Sequence, residues 1–276
     1  MCTYYKNLQT ARDYLRSKGI ADADVDAWYL LAHVLGINRS EFFLHKEEQL
    51  PEDKAAQYQG LVEQRARHIP LQHLTGTQEF MGLEFEVNEH VLIPRQDTEL
   101  LVEEVRKECA GKTVLDLCTG SGCIIISLAR LGNIARAAAV DISEKALETA
   151  IRNGRKHEVC VEFIKSDLYE KVSGVYDIIV SNPPYISKEE IGTLMPEVRD
   201  HEPYIALEGG MDGLDFYRRI IEGLRSHLAD DGRVFFEIGC EQAEAVALLL
   251  AAAGFEEIRV IKDLSGLDRV IRAKKA

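Results

Sequence analysis

The first part of the chain carries apolar residues at three- and four-residue spacing, which is typical of amphipathic helices. One predicted helix can be capped by Asp22 or Asp24 and ended by Gly36. Its apolar stripe consists of Val25, Trp28, Leu31, Ala32 and Leu35. The pattern therefore predicts a small all-helical domain over residues 1–75.

Further helices are expected in the same domain. Ser40 can cap a short one that contains Phe42 and Phe43, and Pro51 stands where a longer one would start. Large apolar side chains of such a bundle usually lie inside it. Trp28 and the two phenylalanines are therefore expected to form its core.

The pattern changes after the helical domain. Between residues 77 and 87 apolar and polar residues alternate, and Gly82 can form the turn of a hairpin, so residues 76–93 are expected to be a β-hairpin linker. Beyond it, short apolar runs alternate with helical patterns. The expected strands are 113–117, 136–140, 161–164, 176–180, 233–238, 255–261 and 269–273. This order predicts a doubly wound, Rossmann-like α/β domain over residues 94–276.

Composition limits the classes of partner. The 276 residues include 33 Lys and Arg against 46 Asp and Glu, a formal net charge of −13, which argues against affinity that comes mainly from neutralising phosphates. A local basic patch could still coexist with this acidic body. The six cysteines form no C-x-x-C pair, and no stretch has the length and apolarity of a membrane span. We expect a cytoplasmic location without a disulfide framework, a zinc site or a membrane anchor.

The tetrapeptide Asn182-Pro183-Pro184-Tyr185 directly follows an apolar strand. Two consecutive prolines withhold two backbone N–H donors and fix φ, so the carbonyls around Asn182 and Pro183 should point outward without an internal partner. The Asn182 side chain adds a second carbonyl acceptor, and Tyr185 adds a flat aromatic wall. Two fixed acceptors beside a ring suit a planar –NH2 group. The motif therefore predicts chemistry on an amide or aromatic amine nitrogen.

A glycine loop follows the first strand of the α/β domain. It reads Cys118-Thr119-Gly120-Ser121-Gly122 and opens a helix, at the end of a parallel strand where ligands of open α/β sheets bind. Gly120 and Gly122 let the backbone approach a ligand, and the helix N-terminus favours an anion. Such a loop can also be a mere tight turn. The third glycine of a dinucleotide fingerprint is missing, which weakens a nicotinamide site.

The next two strands end in carboxylates. Asp141 stands about twenty residues after the glycine turn, where a carboxylate can accept both hydroxyls of a ribose. Asp167 and Leu168 follow the third strand, where Asp167 can read the amino group of adenine. Each carboxylate could instead cap a following helix. Together with the glycine loop and Asn182, they fit a site for S-adenosylmethionine.

At this point the sequence resembles class I S-adenosylmethionine-dependent methyltransferases, and more narrowly the release factor glutamine methyltransferase (PrmC/HemK) family. The resemblance covers nearly the whole chain and is carried by residues 93–99, 116–122, 182–185, 202–214 and 262–269. Asn-Pro-Pro-Tyr alone is shared with DNA adenine and some RNA guanine methyltransferases, from which the other segments separate this chain. Two positions depart from the family pattern, with Gln96 in place of proline and Cys118 in place of glycine.

The resemblance implies methyl transfer from S-adenosyl-L-methionine to the glutamine of the Gly-Gly-Gln motif in peptide chain release factors. The expected catalytic residues are Asn182, Pro183, Pro184 and Tyr185. The expected cofactor-binding residues are Cys118, Thr119, Gly120, Ser121, Gly122, Asp141, Asp167, Leu168 and Asn182. The helical domain is expected to select the partner. We expect a monomer that holds no metal and no stable nucleic acid.

Three alternatives stay open on the sequence. A glutamine methyltransferase of a ribosomal protein would have the same active site. A methyltransferase of nucleic-acid amino groups would need a basic groove or an inserted recognition domain, and neither is visible. A regulatory protein that only binds S-adenosylmethionine would keep the glycine loop but would have no need for Asn182 and Pro183.

Overall fold

The computed structural model describes residues 2–276, which separate into two compact units. One unit comprises residues 2–76 with Met195–His201, and the other comprises Thr77–Leu194 and Glu202–Ala276. The helices are α1 (Tyr4–Ser17), α2 (Ala23–Leu35), α3 (Arg39–His45), α4 (Glu52–Arg65), α5 (Leu71–Thr75), α6 (Gln96–Arg106), α7 (Cys123–Leu131), α8 (Glu144–Lys156), α9 (Pro196–Arg199), α10 (Asp215–His227) and α11 (Ala243–Ala252). The strands are β1 (Thr77–Phe80), β2 (Leu83–Glu86), β3 (Thr113–Leu117), β4 (Arg136–Asp141), β5 (Glu162–Lys165), β6 (Tyr176–Ser181), β7 (Leu228–Glu237), β8 (Phe255–Lys262) and β9 (Asp268–Lys275). Among these residues no helix is both long and apolar enough to cross a membrane.

The helical unit has an aromatic contact at its core. Trp28 of α2 packs edge-on against Phe42 of α3, with ring centroids 5.3 Å apart, and both are buried as expected. The expectation for Phe43 is wrong, because it is 64% exposed; neighbours on a helix point about 100° apart, so only Phe42 faces inward. Val25 is also exposed. The buried face of α2 instead consists of Ala23, Asp26, Ala27, Trp28, Leu30, Leu31 and Val34.

The caps of two helices differ from the sequence prediction. Asn38, not Ser40, caps α3, because its side chain accepts the Glu41 backbone N–H while the Glu41 carboxylate accepts the Asn38 backbone N–H. This reciprocal pair is a capping box. Asp22 precedes α2 but makes no side-chain capping hydrogen bond.

Arg65 ties the segment Met195–His201 to the helical unit. Its guanidinium donates to Asp26 at 2.7 Å and to Glu197 at 2.9 Å, and all three side chains are largely buried. His68 contacts the same Glu197 carboxylate at 3.0 Å. A buried guanidinium is tolerated only with its carboxylate partners in place, so the position of this segment depends on α4.

The expected hairpin is present in the α/β unit. Strands β1 and β2 are antiparallel, with Phe80 opposite Leu83. Met81 and Gly82 form the two-residue turn and both have positive φ, at 55° and 71°, which is the requirement of a type I′ hairpin turn.

The main sheet has the strand order β5-β4-β3-β6-β7-β9-β8. The first five of these strands are parallel. At one edge β9 runs antiparallel to β7, and β8 in turn runs antiparallel to β9. One hydrophobic core includes residues of α10 and α11, and a second includes residues of α6 and α7, so both faces of the sheet are covered. The predicted doubly wound α/β fold is confirmed. Its chain order reverses between β3 and β6, which is the topological switch point of the sheet.

Candidate active site

The loops after β3 and β6 border one deep cleft. Leu117 and Ser181, which end these strands, are register partners, so both loops leave the sheet side by side at the switch point. The empty volume of the cleft, including its open mouth, is about 1020 Å³, which is ample for a nucleoside cofactor. The sequence-predicted residues that line it are Cys118, Thr119, Gly120, Ser121, Asp141, Asp167, Leu168, Asn182 and Pro184. Gly122, Pro183 and Tyr185 adjoin this set without lining the cleft.

The loop after β3 turns on residues with left-handed backbone angles. The φ angle is 60° at Cys118, 56° at Gly120 and 80° at Gly122. Glycine adopts these angles freely, whereas the Cβ of Cys118 makes its conformation strained. Cysteine rather than glycine at this position therefore stores about 1–2 kcal/mol of backbone strain in the loop.

Gly122 has a packing role that the sequence did not reveal. A Cβ at this position would lie 2.8 Å from Ile126 Cδ1 and 3.1 Å from Ala150 Cβ, which is closer than carbon atoms normally approach. Glycine at 122 thus allows α7 and α8 to pack closely beneath the loop. A direct role of Gly122 in binding a cofactor stays a prediction.

Asp141 is held in the cleft by two backbone donors. Its Oδ2 accepts the Gly120 N–H and its Oδ1 accepts the Ser143 N–H, each at 2.8 Å. Burial raises the pKa of the carboxyl, and these hydrogen bonds oppose the shift. A carboxylate in one fixed orientation, with lone pairs remaining, suits the recognition of a vicinal diol such as that of ribose.

Asp167 has a cationic partner that the sequence did not reveal. Arg219 of α10 donates to its Oδ1 at 2.7 Å, and the same guanidinium lies over the Phe216 ring at 5.7 Å from the centroid. All three residues line the cleft, as does Leu168, whose φ is 47°. The site therefore combines a polar carboxylate with apolar surface, a combination that suits a purine base.

Asn182 has a defined side-chain orientation. Its Nδ2 donates to the Thr98 hydroxyl of α6 at 3.3 Å, which turns Oδ1 the other way. Within residues 2–276, neither Asn182 Oδ1 nor the carbonyl of Pro183 accepts a hydrogen bond. Two acceptors without internal partners thus follow β6 at the switch point, and Asn182 lines the cleft.

Tyr185 packs against the hydrophobic core. Its hydroxyl donates to Glu237 Oε1 at 3.3 Å, and its backbone carbonyl accepts Gln242 Nε2 at 2.9 Å. Burial raises the pKa of the phenol, so it stays protonated. Tyr185 therefore anchors the tetrapeptide to β7 and to the residue that precedes α11, and its expected role as a wall of the amine site stays a prediction.

Two glycines let a second loop approach the tetrapeptide closely. A Cβ at Gly209 would lie 2.7 Å from the Pro184 carbonyl oxygen, and one at Gly213 would lie 2.3 Å from the Tyr185 carbonyl oxygen. Gln242 bridges both loops by donating to the carbonyls of Tyr185 and Gly213. The tetrapeptide is thus supported along its backbone by glycines that no larger residue can replace.

Arg95 and Thr98 also line the cleft. Arg95 donates a charge-assisted hydrogen bond to Glu202, whose side chain is fully buried. Burial raises the pKa of Glu202, and the charge of Arg95 opposes this. Glu202, the first residue of the segment 202–214, thus holds Arg95 at the edge of the cleft.

Two buried carboxyls stand beside the cleft loops. Burial raises the pKa of Asp116 and of Glu237 to about 7 each. Asp116 accepts the Thr119 hydroxyl at 2.6 Å and so braces the glycine loop. Sequence reasoning assigned no role to Glu237 or Gln242. In the sequence, Glu237 could have been noticed as an acidic residue at the end of the apolar run 233–238.

Solved structures share this fold. A methyltransferase from Pyrococcus furiosus superposes with a TM-score of 0.57 at 18% identity, over 71% of this chain and 91% of that one. The 16S rRNA N2 G1207 methyltransferase of T. thermophilus, solved with AdoMet and guanosine, gives 0.52 at 19% identity, over 72% and 50%. At these identities the likeness concerns the fold alone. The α/β unit therefore has the class I methyltransferase fold.

Comparison with related sequences identifies the chain more narrowly than the fold does. The family described as the PrmC N-terminal domain matches residues 6–76, and the methyltransferase small domain matches residues 95–197. The release factor glutamine methyltransferase of Geobacter sulfurreducens is 40% identical over 98% of this chain and 95% of its own length. That of Agrobacterium fabrum is 38% identical over 99% and 98%. The chain belongs to the release factor glutamine methyltransferase family.

Proposed function

We propose that this protein transfers a methyl group from S-adenosyl-L-methionine to the side-chain amide nitrogen of the glutamine in the Gly-Gly-Gln motif of peptide chain release factors. The observation that carries the proposal is the pair of unpartnered acceptors after β6, Asn182 Oδ1 and the Pro183 carbonyl, next to the cleft. Family membership supports the choice of a release factor as substrate.

The residues of the cleft fit the cofactor. Asp141 offers fixed carboxylate oxygens to the ribose, Asp167 and Leu168 offer a polar atom and apolar surface to the adenine, and the N-terminus of α7 favours the carboxylate. When bound, the cofactor supplies an electrophilic methyl group on a sulfonium centre. Cys118, Thr119, Gly120 and Ser121 complete the wall on the side of β3.

The acceptors at Asn182 and Pro183 act on the substrate amide. An amide nitrogen is a poor nucleophile because its lone pair is delocalised into the carbonyl. Accepting its two N–H bonds pulls electron density toward nitrogen and fixes the direction of its lone pair. Such positioning can lower a barrier by about 7–11 kcal/mol in favourable intramolecular cases. No strong base is needed, since the nitrogen becomes acidic only as the new bond forms and its proton can leave to water.

We infer that three parts of the chain have different functions. The helical domain, residues 1–75, selects the partner protein, residues 76–93 form the hairpin linker, and residues 94–276 carry the reaction. The helical unit has a core of its own, and it exposes Tyr29, Phe43 and Leu44 to solvent. Exposed aromatic and aliphatic side chains, on a chain whose overall formal net charge is −13, suit a protein surface better than a phosphate backbone.

A labelling experiment tests the substrate. The protein is incubated with tritiated S-adenosylmethionine and a release factor, and a matched reaction contains the same factor with alanine in place of the Gly-Gly-Gln glutamine. We expect label on the first factor and none on the second. Equal labelling of both would contradict the proposed site. Labelling of a ribosomal protein, DNA or RNA in preference to the release factor would contradict the proposed substrate.

A further inference from the structure

We propose that Arg219 is a positioning residue for cofactor recognition, which fixes the Asp167 carboxylate so that its free oxygen accepts the 6-amino group of adenine. The protein thereby selects a 6-amino purine over a 6-oxo purine. This role rests on the function proposed above only as far as the cofactor, since it concerns the adenine end of S-adenosylmethionine and not the protein substrate.

Arg219 occupies one oxygen of the Asp167 carboxylate and leaves the other available. Its Nη2 donates to Oδ1 at 2.7 Å. Within residues 2–276, Oδ2 accepts no hydrogen bond, and both side chains line the cleft. A carboxylate is planar, so a hydrogen bond that holds Oδ1 also restricts the direction of Oδ2. Asp167 thus presents one acceptor in a defined direction, in the loop after β5.

Arg219 is itself held from a second side. Its guanidinium lies over the Phe216 ring, 5.7 Å from the centroid, which is within the range of a cation–π contact. Phe216 packs against the hydrophobic core and also lines the cleft. Arg219 therefore lies between an anchored ring and the carboxylate, and these two contacts restrict the rotamers of its long side chain.

One face of α10 packs against the loop after β5. Arg219, Gly223 and His227 follow one another at four-residue spacing, so they lie on the same side of the helix. A Cβ at Gly223 would lie 2.3 Å from Tyr169 Cδ2, and the rings of Tyr169 and His227 stack with centroids 4.4 Å apart. Arg219 is thus placed beside this loop by the packing of the helix as a whole.

The loop after β5 also holds a strained residue. Leu168 has a φ of 47°, in the left-handed region that a Cβ disfavours, and its side chain is buried. Strained backbone persists where surrounding contacts hold it, and it is concentrated at functional sites. The packing of α10 supplies such contacts. Leu168 and Asp167 both line the cleft, so the strained turn belongs to the wall that we assign to adenine.

Stability alone does not explain the ion pair. The side chains of Arg219 and Asp167 are 46% and 32% exposed, and ion pairs at such exposure contribute little to the free energy of folding. Recognition is the better explanation, because a carboxylate oxygen can accept the 6-amino group of adenine but meets the oxygen of a 6-oxo purine as a second acceptor. A site built around one hydrogen bond rejects the ligand that cannot form it.

Two ligands that differ in the 6-substituent of the purine test the role. S-adenosylhomocysteine carries the amino group, S-inosylhomocysteine carries an oxygen in its place, and isothermal titration calorimetry gives the Kd of each. For the original protein we expect the inosyl compound to bind about a hundredfold more weakly. In Arg219→Ala this ratio should fall to about tenfold or less, mainly through weaker binding of S-adenosylhomocysteine. In Arg219→Lys it should be partly restored.

Arg218→Ala is the matched control. Arg218 is the neighbouring residue of α10, pairs with Asp212 and Asp215, and does not line the cleft, so the ratio should keep its original value. The melting temperature of Arg219→Ala should stay within about 2 °C of the original, as expected for the loss of an exposed ion pair. Asp167→Asn gives a second readout, because its amide can donate to the 6-oxo group and the ratio should approach one.

An equal loss of affinity for both ligands in Arg219→Ala, or unchanged Kd values for both, would overturn the positioning role. A ratio near one in the original protein would overturn the assignment of Asp167 to adenine, and the role of Arg219 with it. Absence of S-adenosylhomocysteine binding would overturn the proposed cofactor as well. The titrations contain no release factor, so a failure of release factor methylation would contradict the proposed function and leave the role of Arg219 standing.

Discussion

The backbone N–H of Gly120 donates to Asp141 Oδ2 at 2.8 Å, which joins the loop after β3 to the end of β4. The hydrogen bond orients the carboxylate within the cleft before any ligand arrives. It also explains why a glycine loop and a strand-end carboxylate form one site although about twenty residues separate them in the sequence.

Replacing Asp141 should weaken cofactor binding. In Asp141→Ala the ribose loses its acceptor, and since hydrogen bonds to charged groups contribute about 1.5–3 kcal/mol, the Kd of S-adenosylmethionine should rise about tenfold to a hundredfold. Isothermal titration calorimetry measures this directly. Asp53→Ala, an exposed aspartate of α4, is the matched control. An unchanged Kd in Asp141→Ala would refute the ribose assignment.

Replacing Gly213 should damage the tetrapeptide while sparing the cofactor site. In Gly213→Ala the new Cβ would lie 2.3 Å from the Tyr185 carbonyl oxygen, at a φ of 73°. We expect a loss of methylation of about tenfold or more and a lower free energy of unfolding. Gly174→Ala is the control, because Gly174 has a similar φ of 83° but nothing within 4 Å of the added Cβ. Equal effects of the two substitutions would show that the contact with Tyr185 is unimportant.

At position 118 a glycine should make the protein more stable than an alanine, which is the reverse of the usual order. Both Cys118→Gly and Cys118→Ala remove the thiol, but only glycine relieves the strain of the left-handed backbone at φ 60°. We expect the glycine variant to be more stable than the alanine variant by about 1 kcal/mol in urea unfolding. The alanine variant being the more stable would mean that this loop carries no such strain.

Asp116 should make stability depend on pH. Burial raises its folded-state pKa from 3.8 to about 7, so between these values the folded state binds more protons than the unfolded chain. Its contribution to stability is therefore fully present below about pH 4 and is lost as the pH rises through about 7. Asp116→Asn removes this titration. The free energy of unfolding of this variant, relative to that of the original protein, should rise by on the order of 4 kcal/mol between about pH 4 and pH 8. A difference that does not change with pH would contradict a raised pKa at Asp116.

Local periodicity was sufficient to predict the framework of this fold. Strands β3, β4 and β6 begin where their apolar runs begin, and the residues at or just after the ends of β3, β4, β5 and β6 include nine predicted site residues that line the cleft. This works because burial on both faces of a parallel sheet imposes continuous apolar runs, and the loops between them must carry the polar chemistry. The capping of α3 by Asn38 could also have been predicted from the sequence, because Glu41 stands three residues later and completes a capping box.

Partners from distant strands and helices could not be predicted in this way. Glu237 meets Tyr185, Gln242 meets Gly213, and Arg219 meets Asp167, in each case across a gap of 29 residues or more. Hydrophobic periodicity identifies the elements but does not determine which side chains meet after they pack. The same holds for the hydrogen bond that orients Asn182, because its partner Thr98 lies 84 positions earlier in the sequence.

Methyl transfer by Asn182→Ala in a single turnover is the most direct test of the central claim. The variant lacks the Oδ1 acceptor but keeps the Pro183 carbonyl, and the cofactor-facing loop after β3 is unaltered. We expect the rate of label transfer from tritiated S-adenosylmethionine to the release factor to fall about 10²–10³-fold, comparable to the removal of one donor from an oxyanion hole, with cofactor Kd changed by less than about threefold. An unchanged rate with intact cofactor binding would contradict the claim that Asn182 grips the glutamine amide.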